Sequence, residues 1–173
     1  MAALGVTFSV VVPEVREAPL DGETPVDFAR RAAQEKGGDI ARRASADFVL
    51  SADTVVSIDG KILGKPPDLA TAADMLRSLS GRVHSVYTAV TVIRRDGASF
   101  GEVDQTRVWF RELAEGEIDR YVRTEAVMDK AGAYAIQGSA RRFVPRIAGN
   151  YTNVVGLPLP VVFDLLKRAG RMV

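Results

Sequence analysis

The sequence contains no cysteine, which excludes disulfide frameworks, zinc–thiolate centres and thiol nucleophiles. It has one histidine, His84, so a histidine dyad or a multi-imidazole metal site is excluded too. No apolar run approaches the ~20 residues that span a bilayer. Met1 to Val12 has no basic stretch ahead of its apolar part and does not read as a secretory signal. An excess of one charge is also missing, since 23 basic residues face 22 acidic ones. A protein that grips nucleic acid shows a clear basic surplus, so that class is disfavoured, whereas a small phosphorylated ligand needs only a few local cations. The dinucleotide fingerprint Gly-x-Gly-x-x-Gly, the Walker loop and the serine elbow of hydrolases are all absent. These absences leave a cytoplasmic enzyme or binding module, without membrane or nucleic-acid partners, as the expectation.

What is present is ordinary globular material. In 173 residues, 47% are apolar and 26% charged, enough for one core and at most two lobes. Val6–Val12, rich in β-branched residues and stopped by Pro13, predicts a strand. Thr24-Pro25 predicts a helix start, with Phe28, Ala32, Lys36 and Ile40 on one face through about Ala44. Gly37-Gly38 predicts a weak second half of that helix. Phe48–Ile58, the Asp59-Gly60 turn and Lys61–Leu63 predict a strand and its return. Asp68 should cap a helix to Leu79 that turns Leu69, Ala72, Ala73, Leu76 and Leu79 inward. Alternation over Val83–Arg94 and the Asp96-Gly97 turn predict a long hairpin reaching about Phe110. A short helix over Glu115–Thr124, short strands over Tyr134–Gln137 and Phe143–Ile147, and a closing helix over Pro158–Arg168 complete the pattern. The fold expected is α/β, a mixed central sheet with flanking helices.

Four clusters could carry chemistry, and each has a plainer reading. Asp53 stands inside the apolar run Ser51–Val56; a buried carboxylate must be paired, hydrogen-bonded or facing a cation, or else Asp53 merely caps a turn. Lys65, between Gly64 and Pro66, is either an exposed turn lysine or a held cation. The chain has five lysines against 18 arginines, and a lysine's compact charge suits phosphate. Lys36 lies on an apolar helix stripe, where it either snorkels outward or meets an anion. Met128 to Gly138 is rich in small residues, as in close loop packing or backbone approach to a ligand, and Gln137 could read a base edge through its amide. His84 reads as structural rather than catalytic. Glu17 follows the first strand, where functional carboxylates and plain loop acids both occur.

In order and spacing, Ala52-Asp53-Thr54-Val55-Val56, Asp59-Gly60, Leu63-Gly64-Lys65-Pro66, Leu79-Ser80-Gly81 with His84, Asp129-Lys130-Ala131-Gly132-Ala133-Tyr134, Ile136-Gln137-Gly138 and Asn153-Val154-Val155-Gly156-Leu157-Pro158-Leu159 resemble the Maf family of nucleoside-triphosphate pyrophosphatases. The resemblance runs from about Phe8 to the C-terminal helix and covers 1–173 as a single Maf-like domain. It implies a fold similar to the inosine-triphosphatase class, with a nucleotide cleft between two lobes, and a homodimer. It also implies hydrolysis of a nucleoside triphosphate to monophosphate and pyrophosphate with a divalent cation, Mg²⁺ or Mn²⁺. On the matching positions, Asp53 is the proton acceptor or metal-side carboxylate and Glu17 a second metal-side acid. Lys36 and Lys65 hold phosphates, and Thr54 and Gln137 set specificity. The Asp129–Gly138 segment resembles the subgroup acting on dTTP and UTP rather than on 7-methyl-GTP, with Ala135 in place of the usual glycine. The family opens with a strand and a Ser-x-Ser-Pro-Arg-Arg loop, where this sequence has Met1-Ala2-Ala3-Leu4. A shortened start is therefore expected, meaning either a true start further upstream or weak or absent catalysis. The rival reading is a non-catalytic nucleotide-binding or regulatory protein linked to cell division.

Overall fold

Thr24 opens the first helix as its sequence implies. Its hydroxyl accepts the Asp27 N–H at 3.1 Å, Pro25 occupies the first turn, and helix α1 runs over Pro25–Arg43. In the computed structural model, which describes residues 5–171, α1 is continuous through Gly37-Gly38, against the expected weakening. The reason is packing. A Cβ on Gly37 would lie 2.6 Å from Ser51 Oγ and 3.2 Å from Ile93 Cδ1, and Ser51 Oγ is tied to Ala33 O at 2.7 Å. On Gly38 the nearest atom would be the flexible Arg42 Nη1 at 3.6 Å. Gly38→Ala should therefore stabilise the protein by up to about 1 kcal/mol through helix propensity. Gly37→Ala should lose about 1 kcal/mol net, because the overlap outweighs that gain. Urea unfolding of the two variants checks the opposite signs.

After α1 come β1 (Phe48–Ile58) and β2 (Lys61–Leu63), joined by Asp59 and Gly60 at φ 50° and 77°. This is the left-handed pair a two-residue hairpin needs. Helix α2 (Leu69–Leu79), capped by Asp68, leads to β3 (Val83–Arg94) and β4 (Ser99–Trp109). Helix α3 (Glu115–Thr124), 3₁₀ turns at Ala131–Ala133 and Ser139–Phe143, β5 (Arg146–Ala148), α4 (Tyr151–Val155) and α5 (Leu159–Arg168) follow. The five strands lie in the order β2-β1-β3-β4-β5, paired antiparallel throughout, with helices on both faces. This is the α/β sheet with flanking helices read from the sequence.

Four local expectations fail. Val6–Val12 joins no strand, and Phe8, Val10 and Val12 are exposed; β-branched residues favour a pleated surface only where a neighbouring strand supplies one. Tyr134–Gln137 forms no ladder, and Phe143 ends a 3₁₀ turn, so only Arg146–Ala148 pairs, with Arg107–Trp109. Gly132 at φ 67° turns the chain out of strand geometry just before Tyr134. Leu69 is exposed, because a side chain at a helix's first position has no preceding turn to lie across. Helix α4 was not anticipated; Asn150 Oδ1 accepts the Thr152 N–H at 2.9 Å and Gly156 ends it at φ 111°. The expectation of a shortened start falls on Met1–Leu4, which lie outside the described residues.

The sheet's two faces differ. One carries α1, with Phe28, Ala29, Ala32 and Ala33 against Val55 and Ala89. The other carries two separate apolar clusters. Val90 and Val92 pack with Val162, Leu165 and Leu166 of α5, whereas Val56, Val86 and Val108 pack with α2, α3 and the 3₁₀ turns. Between them runs a buried polar seam of Thr88, Thr106 and Asn153. Two lobes thus share one sheet.

His84 belongs to the second of these clusters. Its Nε2 meets Tyr134 Oη at 2.7 Å, its ring stacks edgewise on Phe110 at 5.0 Å, and its Nδ1 has no partner among the described residues. Burial pushes its pKa down to about 4. Between that value and the ordinary histidine value of 6.5, the unfolded chain binds a proton that the folded chain refuses, so stability rises with pH across this window. Unfolding free energy should fall by about 2 kcal/mol from pH 6.5 to pH 5. His84→Gln should flatten that slope in urea titrations at the two pH values.

Candidate active site

The cleft forms where β1 loses its neighbour. β2 covers only Val56–Ile58, so on that side the edge of β1 from Ala52 to Val55 has no strand among the described residues. Successive residues of a strand face opposite sides, and at this edge both sides are reachable. Asp53 turns towards α1, while Thr54 turns towards the polar seam. The resulting cleft, of about 290 Å³, is at the lower end for small-molecule sites. Glu17, Lys36, Asp53, Thr54, Lys65 and Gln137 all line it. Every site residue named from the sequence therefore comes to one place.

Four of the six interlock by charge. Lys36 Nζ lies 2.6 Å from Asp53 Oδ1 and 3.0 Å from Glu17 Oε1. Lys65 Nζ donates to Glu17 Oε2 at 2.9 Å. Asp53 is 7% exposed and Lys36 14%, against 54% for Lys65. Burial pushes the Asp53 carboxyl above its ordinary value, more than the Lys36 ammonium pulls it back. For Lys36, burial works downward, but the bonds and charges of Asp53 and Glu17 prevail and hold its pKa above the ordinary lysine value. For Glu17 burial works upward, yet the bonds from Lys65 and Lys36 leave it below the usual carboxylate range. The site thus pairs a charged acid with one whose proton affinity is raised.

The rest of the cleft is shaped by glycines and small residues. Gly132 N donates to Gly64 O at 3.1 Å, tying the loop that carries Lys65 to the Asp129–Gly138 segment. A Cβ on Gly132 would come within 2.9 Å of Val56 Cγ1, so glycine alone lets this segment lie against β1. Gln137 is exposed at the mouth. The sequence reading missed five contributors. Asp129 and Lys130, a pair at 2.7 Å, line the cleft, as do Val154 and Val155. Their signal was the quoted Asp129-Lys130 and Asn153–Leu159 motifs, which mark positions without saying which way they face. Thr88, beneath Thr54, appeared only as one residue of an alternating strand.

A Mg²⁺-like cation prefers carboxylates and phosphate oxygens. Glu17 and Asp53 fit it, because their oxygens converge on the one point that the Lys36 ammonium now satisfies. Among the described residues no group of three or more His, Cys, Asp or Glu could hold a metal, so substrate oxygens and water would complete such a shell. No helix among the described residues is long and apolar enough to cross a membrane.

Comparison with known proteins identifies the family. The family model described as "Maf-like protein" matches residues 1–169. A dTTP/UTP pyrophosphatase of Geotalea uraniireducens is 46% identical over 172 residues, 98% of this chain and 88% of its own length. A dTTP/UTP pyrophosphatase of Geobacter sulfurreducens is 47% identical over 174 residues, covering 99% and 91%. Another, of Anaeromyxobacter dehalogenans, is 47% identical over 173 residues, covering 98% and 87%. With its motifs gathered around one cleft and a family match over nearly its whole length, the chain belongs to the Maf family.

Proposed function

We propose that this protein hydrolyses nucleoside triphosphates, dTTP and UTP before others, to the monophosphate and pyrophosphate, and so clears the nucleotide pool. The observation that carries this reading is the interlocked set Glu17–Lys36–Asp53 with Lys65, at 2.6–3.0 Å, beside Thr54 and Gln137 in one cleft. The relatives' activity supports the substrate class.

The chemistry follows from what each group can do. Asp53, with its raised proton affinity, accepts the proton of a water whose oxygen attacks the α-phosphorus. The bond from that phosphorus to the bridging oxygen breaks, and its electron pair leaves with pyrophosphate. The Lys36 and Lys65 ammoniums exchange their carboxylate partners for phosphate oxygens and offset charge developing on the leaving group. Glu17 and Asp53, released by that exchange, would hold Mg²⁺ or Mn²⁺. When bound, the cation supplies charge compensation and orientation at the phosphates. Thr54 and Gln137 meet the base. The family resemblance further supports a homodimer in the cytoplasm, with 1–173 as one unit.

The test is to incubate the purified protein with Mg²⁺ or Mn²⁺ and each of dTTP, UTP, CTP and 7-methyl-GTP, and to resolve monophosphate and pyrophosphate. Pyrophosphate release fastest with dTTP and UTP is expected. A folded chain that turns over none of them would overturn the enzyme reading in favour of a binding role.

A further inference from the structure

The hydroxyl protons of the polar seam can be counted. Thr54 Oγ1 and Thr88 Oγ1 lie 2.9 Å apart, and either could donate. Thr88 Oγ1 is also 2.9 Å from the backbone oxygen of Asn153, which can only accept. A hydroxyl has one proton. Both contacts are therefore satisfied in a single way: Thr88 donates to Asn153 O, and Thr54 donates to Thr88. The arrangement is fixed from behind, since Thr88, Thr106 and Asn153 are each 0% exposed. Asn153 Nδ2 donates to Val86 O and to Thr106 Oγ1, both at 3.0 Å, and Thr106 donates to Asn150 O at 3.0 Å. The backbone oxygen of Asn153 is held in turn by the Gly156 N–H, which donates to it at 2.9 Å. Thr54, which lines the cleft, has spent its proton inward and keeps only lone pairs for a ligand.

We infer that Thr88 is a specificity-positioning residue: by taking the Thr54 proton it makes Thr54 an obligate acceptor, and the cleft selects bases that bring a donor to it. This rests on the reading of the cleft as a nucleotide site. Uracil and thymine carry a ring imide N–H that such an acceptor would bind. The corresponding ring nitrogen of cytosine carries a lone pair, and two acceptors facing each other leave a buried group unpaired. Gln137 cannot make this distinction, because its amide both donates and accepts.

Equilibrium binding by titration calorimetry tests the assignment without requiring turnover, using UTP, CTP and N3-methyl-UTP on the full chain. The wild-type protein should bind UTP roughly tenfold or more tightly than either of the others. Thr88→Val keeps the shape but returns the Thr54 proton to the cleft, where it can meet the cytosine ring nitrogen. The UTP-to-CTP ratio should then collapse towards one, while Thr88→Ser should restore it. A purely structural role for Thr88 would weaken all three nucleotides together and leave the ratio unmoved, which overturns the inference. So does wild-type protein that binds N3-methyl-UTP as well as UTP, a result that needs no substitution. Selective binding without pyrophosphate release would instead sink the proposed activity and leave this assignment standing. An unmoved ratio in an active enzyme would do the reverse.

Discussion

Asp53→Asn is expected to lower kcat for pyrophosphate release by about three orders of magnitude while leaving the fold intact. Asparagine matches aspartate in shape, and its amide oxygen can still accept from Lys36, which lies 2.6 Å from Asp53 Oδ1 in the native protein. Lys36 also keeps its second partner, Glu17, so the substitution strands no buried charge. What disappears is the group able to take the proton of the attacking water. The pH profile should show the same loss. Only the ionised Asp53 carboxylate can take that proton, so the native enzyme's activity should show an acid limb. That limb should vanish from the residual activity of the variant. Initial rates across pH, with a thermal melt of each protein, make the comparison. A variant within about fivefold of native kcat would place the base elsewhere.

How far the sequence speaks to this site depends on the range over which each signal acts. Thr24-Pro25, Asp59-Gly60 and Asp68 act within three or four residues, and each stands where it was read. The alternation of β3 likewise tells which residues share a face. Partner choice is not local. The helical stripe placed Lys36 beside Phe28, Ala32 and Ile40, but whether it snorkels or pairs depends on Asp53, 17 residues away. Pairing is what the fold provides. The same holds for Glu17, which read equally as a functional carboxylate or a plain loop acid until two lysines, one of them 48 residues distant, met it. The motif resemblance bridged that gap for residues inside motifs. It could not do so for Thr88, whose place under Thr54 comes from the β1–β3 register. Gly37 shows the opposite failure: a correct local penalty was outweighed by close contact with Ser51. At Val6–Val12, propensity had no neighbouring strand to act upon.

The charge cluster should also govern stability. Lys36→Met is expected to lower unfolding free energy by about 3 kcal/mol at pH 7 in chelator, because removing one partner leaves the others uncompensated. Most of the effect belongs to Asp53, 7% exposed; Glu17, at 33%, is screened by water and contributes less. Without the ammonium the Asp53 pKa must rise further. A group whose folded pKa exceeds its unfolded one binds extra protons when folded, so stability falls as pH climbs from the unfolded towards the folded value. The deficit should therefore be small near pH 4 and reach its full size only at higher pH. Adding Asp53→Asn to Lys36→Met should recover most of the loss, since the pair is then replaced by neutral groups rather than broken. Millimolar Mg²⁺ should stabilise Lys36→Met more than the native protein, because a cation can occupy the point between Glu17 and Asp53 that the ammonium vacates. Urea titrations of the native protein, Asp53→Asn, Lys36→Met and the double variant, across pH and with chelator or Mg²⁺, read all three effects. A single variant as stable as native at pH 7 would mean that the pair contributes nothing net. A Mg²⁺ response equal in both would mean that the two carboxylates do not form a cation site.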